Sequence, residues 1–364
     1  MNFDPVLRSD EKAVFALRAL YRKYGYKQYK MSKFEEYGLY LNNKDFLVSD
    51  NVITFTDTDG RLMALKPDVT LSIIKNGRDV QGGLQKVYYD ENVYRVSKGT
   101  KSFKEIRQVG LECLGDVDDY AVTEVLYLAS KSLQGISDEY LLDVSSLDVI
   151  KGVMEDANLS LSAQKEILYY LSEKNVNGIE QVCQKEKVED TDALIKLVKT
   201  YGKPEKVKKV LDEISCSEKT RLAIVRLLSI VDALSAFGES GKIEIDFSVA
   251  GDMKYYNGIV FKGFISGIPT GILSGGQYDN LMEKMEKNSR AIGFAVYLDE
   301  LGKFGGEVNT GVDVAIQYND APIEEVVKLV KEITENGESV IAEKVIPCKT
   351  KYKRLIELGK GVKL

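Results

Sequence analysis

Residues 84–115, LQKVYYDENVYRVSKGTKSFKEIRQVGLECLG, decide the fold. LQKVYYDENVYR reads as one strand rich in Val and Tyr, VSKGTKS as a basic turn, and FKEIRQVGLECLG as the return strand. Two strands joined by a short turn pair antiparallel, whereas parallel neighbours need a long crossover. A long hairpin is therefore expected at the heart of the chain.

Outward from this hairpin the same grammar repeats. Upstream, NVITFTDTDGRLMAL (51–65) is a shorter hairpin with its turn at Asp57-Thr58-Asp59-Gly60. LKPDVTLSIIKNG then puts Pro67 ahead of a short helix. Near the N-terminus, SDEKAVFALRALYRKYGY is a helix with Ser9 as expected N-cap and Gly25 just past its end. Its Val14, Leu17, Leu20 and Tyr21 form one apolar stripe. Downstream, DVDDYAVTEVLYLASKSLQG is an amphipathic helix with acidic residues in the first turn and Gly135 at its end. YLLDVSSLDVI follows as a strand.

From about Leu159 to Phe237 the chain is charged, helical and free of strand signals, so it reads as an all-helical insertion. Strands resume at KIEIDFSVAG and continue through YYNGIVFKGFI, GILSGGQYD and RAIGFAVYLDEL. GILSGGQYD enters a helix, and Gly275-Gly276 read on their own as a sharp turn at that junction. The tail from Gly311, with VDVAIQY, a helix over 323–336 and SVIAEKV, looks like a small separate α/β unit. Strands joined mostly by hairpins imply an α+β fold, an antiparallel sheet with flanking helices. The expected domains are a core over 1–306 holding the insertion at about 159–237, and a short unit over 307–364.

Composition narrows the function. At 44% hydrophobic and 29% charged, the 364 residues resemble an ordinary globular chain, and no apolar run approaches the roughly 20 residues that span a bilayer. The start, MNFDPVLRSDEK, lacks the basic-then-apolar character of a signal peptide. Four cysteines lie far apart with no CxxC pair, so a reduced cytoplasmic setting is expected. A net charge of −6 argues against a broad nucleic-acid surface. The chain contains no histidine, which excludes a Ser-His-Asp triad, histidine-ligated metal and imidazole acid–base catalysis.

GDMKYYNGIVFKG (251–263) raises a sharper point. In an extended chain successive side chains point to opposite faces, so Tyr255 and Tyr256 cannot both be core residues of one face. At least one ring should look into a cavity or into solvent.

Taken in order, LKPDVT, EIRQVGLECLG, KYYNGIVF, GGQYDNL and AIGFAVYLDEL resemble the catalytic domain of histidyl-tRNA synthetase, a class II synthetase, across roughly residues 5 to 302. The resemblance implies an amino-acid pocket built from Asp68, Thr70, Arg95, Gln108, Glu112, Tyr255, Tyr256 and Tyr278. Asp68 and Thr70 suit an α-ammonium, Glu112 suits an imidazole N–H, and the tyrosines suit the ring's walls.

The departures from the family concern nucleotide handling. The Arg-x-Glu-Arg run that grips ATP is here Arg95-Val96-Ser97-Lys98. Glu300 stands where the last motif carries a phosphate-binding Arg, and a carboxylate there repels polyphosphate. Gly251 replaces another Arg, and Ser32 the first-motif proline. A retained pocket without its ATP clamp resembles one branch of the family, the regulatory subunits of ATP phosphoribosyltransferase. That resemblance implies no catalytic residues, no cofactor and no metal. It implies a homodimer within a hetero-oligomer, a short-form catalytic subunit as partner and free histidine as effector, with no membrane partner and with tRNA not expected as one. A divergent amino-acid ligase and a synthetase-derived RNA-binding module are the competing readings.

Overall fold

In the computed structural model the long hairpin consists of two 13-residue strands, β5 (Leu84–Val96) and β6 (Phe103–Gly115). They pair antiparallel from Leu84 opposite Gly115 to Val96 opposite Phe103. The structure describes residues 7–47, 52–77, 82–96, 102–238, 241–250, 255–299, 301 and 311–359. The expected turn residues Ser97 and Lys98, together with Gly251 and Glu300, lie outside that set.

Two units divide the chain, Met1–Phe304 and Gly305–Leu364. The first is organised by a nine-stranded sheet in the order β1-β5-β6-β12-β11-β10-β7-β9-β8. The strands around the hairpin are β1 (Lys27–Gln28), β7 (Tyr140–Ser146), β8 (Tyr201–Gly202), β9 (Ile243–Asp246), β10 (Asn257–Ile265), β11 (Leu273–Gln277) and β12 (Arg290–Tyr297). Most neighbours run antiparallel, while β1 with β5 and β7 with β9 are parallel. A separate three-stranded sheet, β2 (Phe34–Glu36), β4 (Leu62–Leu65) and β3 (Thr54–Thr56), carries the short hairpin. Its turn closes at Gly60, whose φ of +81° favours glycine.

One face of the large sheet is covered by α1 (Ser9–Lys23) and α4 (Asp119–Gln134). The α4 stripe Val122, Val125, Leu126 and Ala129 is fully buried against strand residues such as Leu111 and Val144. Each such Leu or Val contributes about 1.5–3 kcal/mol when buried. Asp118 caps α4 by accepting the amide of Ala121 at 2.8 Å. Ser9 does not cap α1, because it is already the first helical residue. Glu11 reaches back to accept the Arg8 amide at 2.9 Å, and the chain leaves the helix through Gly25 at φ +83°.

The other face carries α3 (Thr70–Asn76) and α11 (Asp279–Lys284), whose Leu71, Ile73, Ile74, Leu281 and Met282 form a second core cluster with Tyr40 and Tyr89. The short helix α2 (Tyr37–Asn42) contributes Tyr40.

YLLDVSSLDVI is a strand only to Ser146. The Ser146 hydroxyl accepts the Val149 amide and starts helix α5 (Leu147–Asp156). Helices α6 (Leu161–Ser172), α7 (Val176–Glu186), α8 (Asp192–Lys199), α9 (Pro204–Asp212) and α10 (Glu218–Ala236) follow. The pair Tyr201–Gly202 between them joins the sheet edge beside β9. Two residues are too few to show a strand period, so this strand lay hidden in the helical stretch.

Gly275 and Gly276 are not at a sharp turn. They lie inside β11, with no left-handed φ. A Cβ on Gly276 would come within 2.8 Å of the Tyr256 ring, and one on Gly275 within 2.5 Å of Phe294 Cβ. They are small because aromatic rings pack onto the strand there.

The second unit has three parallel strands in the order β14-β13-β15, with β13 (Val312–Gln317), β14 (Val340–Glu343) and β15 (Tyr352–Glu357). Helix α12 (Ile323–Glu335) packs Ile333 and Leu329 on Val314 and Ile316. Strand β15 is mostly exposed and charged, which hid it from the hydrophobic pattern.

Candidate functional site

Register across the sheet builds the site. Side chains alternate along a strand, so Gln108, Gly110 and Glu112 of β6 share one face. They stand opposite Tyr297, Ala295 and Gly293 of β12 and opposite Glu91, Tyr89 and Val87 of β5. The small residues leave a hollow on that face, roofed by the segment before α3, by Tyr255 and Tyr256 and by Tyr278. The result is a cavity of ≈ 280 Å³.

All eight residues singled out from the sequence line it: Asp68, Thr70, Arg95, Gln108, Glu112, Tyr255, Tyr256 and Tyr278. They come from five separate segments of the chain. Both tyrosines of the 255–256 pair face the cavity, so the alternation argument holds only in part. They precede β10 instead of lying in it, and their rings meet edge-to-face at 4.5 Å. Gly258, at φ +63°, and a register shift between Asn257 and Val260 turn the chain there.

Glu112 is the centre. It is 2% exposed, and its two oxygens accept hydroxyl protons from Thr70 at 2.8 Å and from Tyr278 at 2.6 Å. Burial pushes its carboxyl up to about 8, against the lowering effect of those two hydrogen bonds. Burial also raises the half-buried Asp68, although the Leu71 amide and Arg95 counteract it. Asp68 Oδ1 accepts that Leu71 amide at 2.9 Å, so the residue tethers the first turn of α3 while lining the cavity. Arg95 donates Nε to the Pro67 carbonyl at 3.0 Å and lies beside Asp68.

Tyr278 is held by its neighbour. Asp279 accepts from Asn257 Nδ2 at 3.1 Å and from the Ala291 amide at 2.9 Å, while the Asp279 amide donates to Asn257 Oδ1 at 2.6 Å. These bonds lock the start of α11 to β10 and β12 and aim the Tyr278 hydroxyl at Glu112.

The sequence reading missed several lining residues: Phe46, Leu47, Tyr89, Ser274 and Tyr297 among them. Tyr89 shares a face with Arg95 at an even spacing, a signal present in VYYDENVYR. Tyr297 hydrogen-bonds Ser274 at 3.0 Å, a pairing visible only from sheet order. Phe46 sits in a short 3₁₀ turn and packs on Tyr255 with ring centroids 6.3 Å apart.

A mostly antiparallel sheet with a long central hairpin and an amino-acid-sized cavity on one face is the class II synthetase architecture. The family model of histidyl-tRNA synthetase matches residues 5–301, and the chain belongs to that family. A protein of Acetivibrio thermocellus named ATP phosphoribosyltransferase regulatory subunit is 26% identical over 288 residues, covering 77% of this chain and 68% of the relative. A crystal structure from Bacillus halodurans C, described as an ATP phosphoribosyltransferase regulatory subunit/histidyl-tRNA synthetase, superposes with a TM-score of 0.78 at 22% identity, covering 97% of this chain and 95% of that one. A chain of the ATP phosphoribosyl transferase (HisG:HisZ) complex from Thermotoga maritima superposes with a TM-score of 0.64 at 19% identity, covering 80% and 97%.

Proposed function

We propose that this chain is a regulatory subunit of ATP phosphoribosyltransferase, that a short-form catalytic subunit needs it for activity, and that it carries feedback inhibition by free histidine. The observation that carries the reading is the cavity, whose two carboxyls, tyrosine walls and Arg95 offer groups for an ammonium, an imidazole and a carboxylate. The names of the relatives and the Thermotoga maritima complex support the partner. Within this reading the chain binds an amino acid and performs no chemistry on it, since Val96, Ser97 and Glu300 replace the ATP-gripping groups of the family. Histidine then acts by favouring one state of the assembly over another. The chain works as a homodimer through α1 and the sheet edge that follows Gly25, and light scattering that finds a stable monomer at micromolar concentration contradicts this part.

Mixing the chain with a short-form catalytic subunit tests the assignment: co-elution on a sizing column and gain of phosphoribosyltransferase activity support it. The second reading, a divergent amino-acid ligase, draws on the synthetase family match and on Arg95 beside the cavity. Histidine-dependent ATP–pyrophosphate exchange by the chain alone decides for the ligase, and its absence for the regulator.

A further inference from the structure

Glu112 is buried with hydroxyl partners and, among the described residues, no cation paired with it. Asp68 and Thr70 face it from the segment that enters α3, Tyr278 from the start of α11, Tyr255 and Tyr256 from the segment before β10, and Tyr89 from β5. Gly293 of β12 closes the floor, and Cys113, the next residue on β6, points to the opposite face. Arg95, the nearest guanidinium in the cavity, spends its Nε on the Pro67 carbonyl and lies beside Asp68. An isolated carboxylate in such a place is costly, and the carboxyl escapes the cost by keeping its proton.

We propose that histidine binding in this cavity is proton-linked: the Glu112 carboxyl is neutral when the cavity is empty and gives its proton to the imidazole of the ligand. The proposal rests on the histidine-pocket reading above. The Glu112 O–H bond breaks, a ring N–H bond forms, and the bound pair is carboxylate with imidazolium. Burial that holds Glu112 protonated up to about 8 supports the first state.

The proton count follows. A free imidazole titrates near about 6.5, so at neutral pH the ligand ring arrives mostly neutral and no proton is exchanged with solvent. Below that value free histidine already carries the ring proton, and one proton must leave on binding. Affinity then falls by up to about ten-fold per pH unit, so binding at pH 5.5 is roughly ten-fold weaker than at pH 7.2.

Difference infrared spectroscopy of the intact chain at pH 7, with and without free histidine, reads the proton directly. The expected result is loss of a protonated-carboxyl band on adding histidine, absent in Glu112→Gln. Calorimetry in buffers of different ionisation enthalpy should show no net proton exchange near pH 7.2 and release of about one proton near pH 5.5. Histidine binding seen by calorimetry without loss of that band overturns the proton transfer and leaves the pocket assignment standing. No histidine binding by the wild-type chain overturns both.

Discussion

Glu112 of β6 and Gly293 of β12 stand directly opposite one another in the sheet, and the Glu112 carboxyl occupies the space that a side chain at 293 would need. A Cβ on Gly293 would lie 1.7 Å from Glu112 Oε2. The glycine in AIGF is therefore what allows a carboxyl to lie against the sheet floor. Gly293→Ala should expel Glu112 from its bonds with Thr70 and Tyr278 and lower histidine affinity by at least roughly five-fold, the equivalent of about 1 kcal/mol. Titration calorimetry checks the affinity, and circular dichroism checks that the sheet persists.

Tyr278→Phe removes the 2.6 Å hydroxyl donor and leaves Glu112 Oε2 without that partner. A buried group that loses its hydrogen bond costs about 1–3 kcal/mol, so the variant should unfold at lower urea concentration. That hydrogen bond lowers the Glu112 titration, so its loss moves the titration further up. Denaturant unfolding and an infrared pH titration measure the two effects.

Asp143 of β7 gives a pH test away from the cavity. It is 8% exposed, faces Glu244 across the parallel β7–β9 pair and Lys262 across β10, and is pushed up to about 7. Burial is the largest cause, followed by Asp246 and Glu244, with Lys174 and Lys262 opposing them. The folded state therefore holds a proton that the unfolded chain releases above about 4. This contribution to stability is fully present below that value and is lost as pH rises through about 7. Asp143→Asn should flatten this decline and stabilise the protein at pH 8 by up to about 3–4 kcal/mol, at about 1.4 kcal/mol for each unit removed. Urea midpoints between pH 4 and pH 8 are the measurement; equal slopes in wild type and variant contradict the assignment.

The sequence carried the fold where side chains obey a period. The hairpin of β5 and β6 and the amphipathic α4 were legible because alternation and a helical stripe recur over a dozen residues or more. Tyr201–Gly202 and the charged β15 carried no such period, and pairing with strands distant in sequence forms them. The cavity residues were legible as family motifs, while the reason for the glycines was not. Gly275 and Gly276 read as turn residues because their true constraint, Phe294 and the rings of Phe261 and Tyr256, comes from other segments of the chain. Tyr255 and Tyr256 escaped the alternation argument because the strand starts two residues later than that argument assumed.

The central claim is that this cavity holds the histidine that restrains a phosphoribosyltransferase. Its most direct test is the histidine concentration that half-inhibits the reconstituted complex, with wild-type chain and with Glu112→Ala. A buried imidazole N–H without its acceptor loses about 1–3 kcal/mol, so the variant should need roughly 5- to 150-fold more histidine while still activating the catalytic subunit. Inhibition of the variant complex at the wild-type histidine concentration contradicts the account.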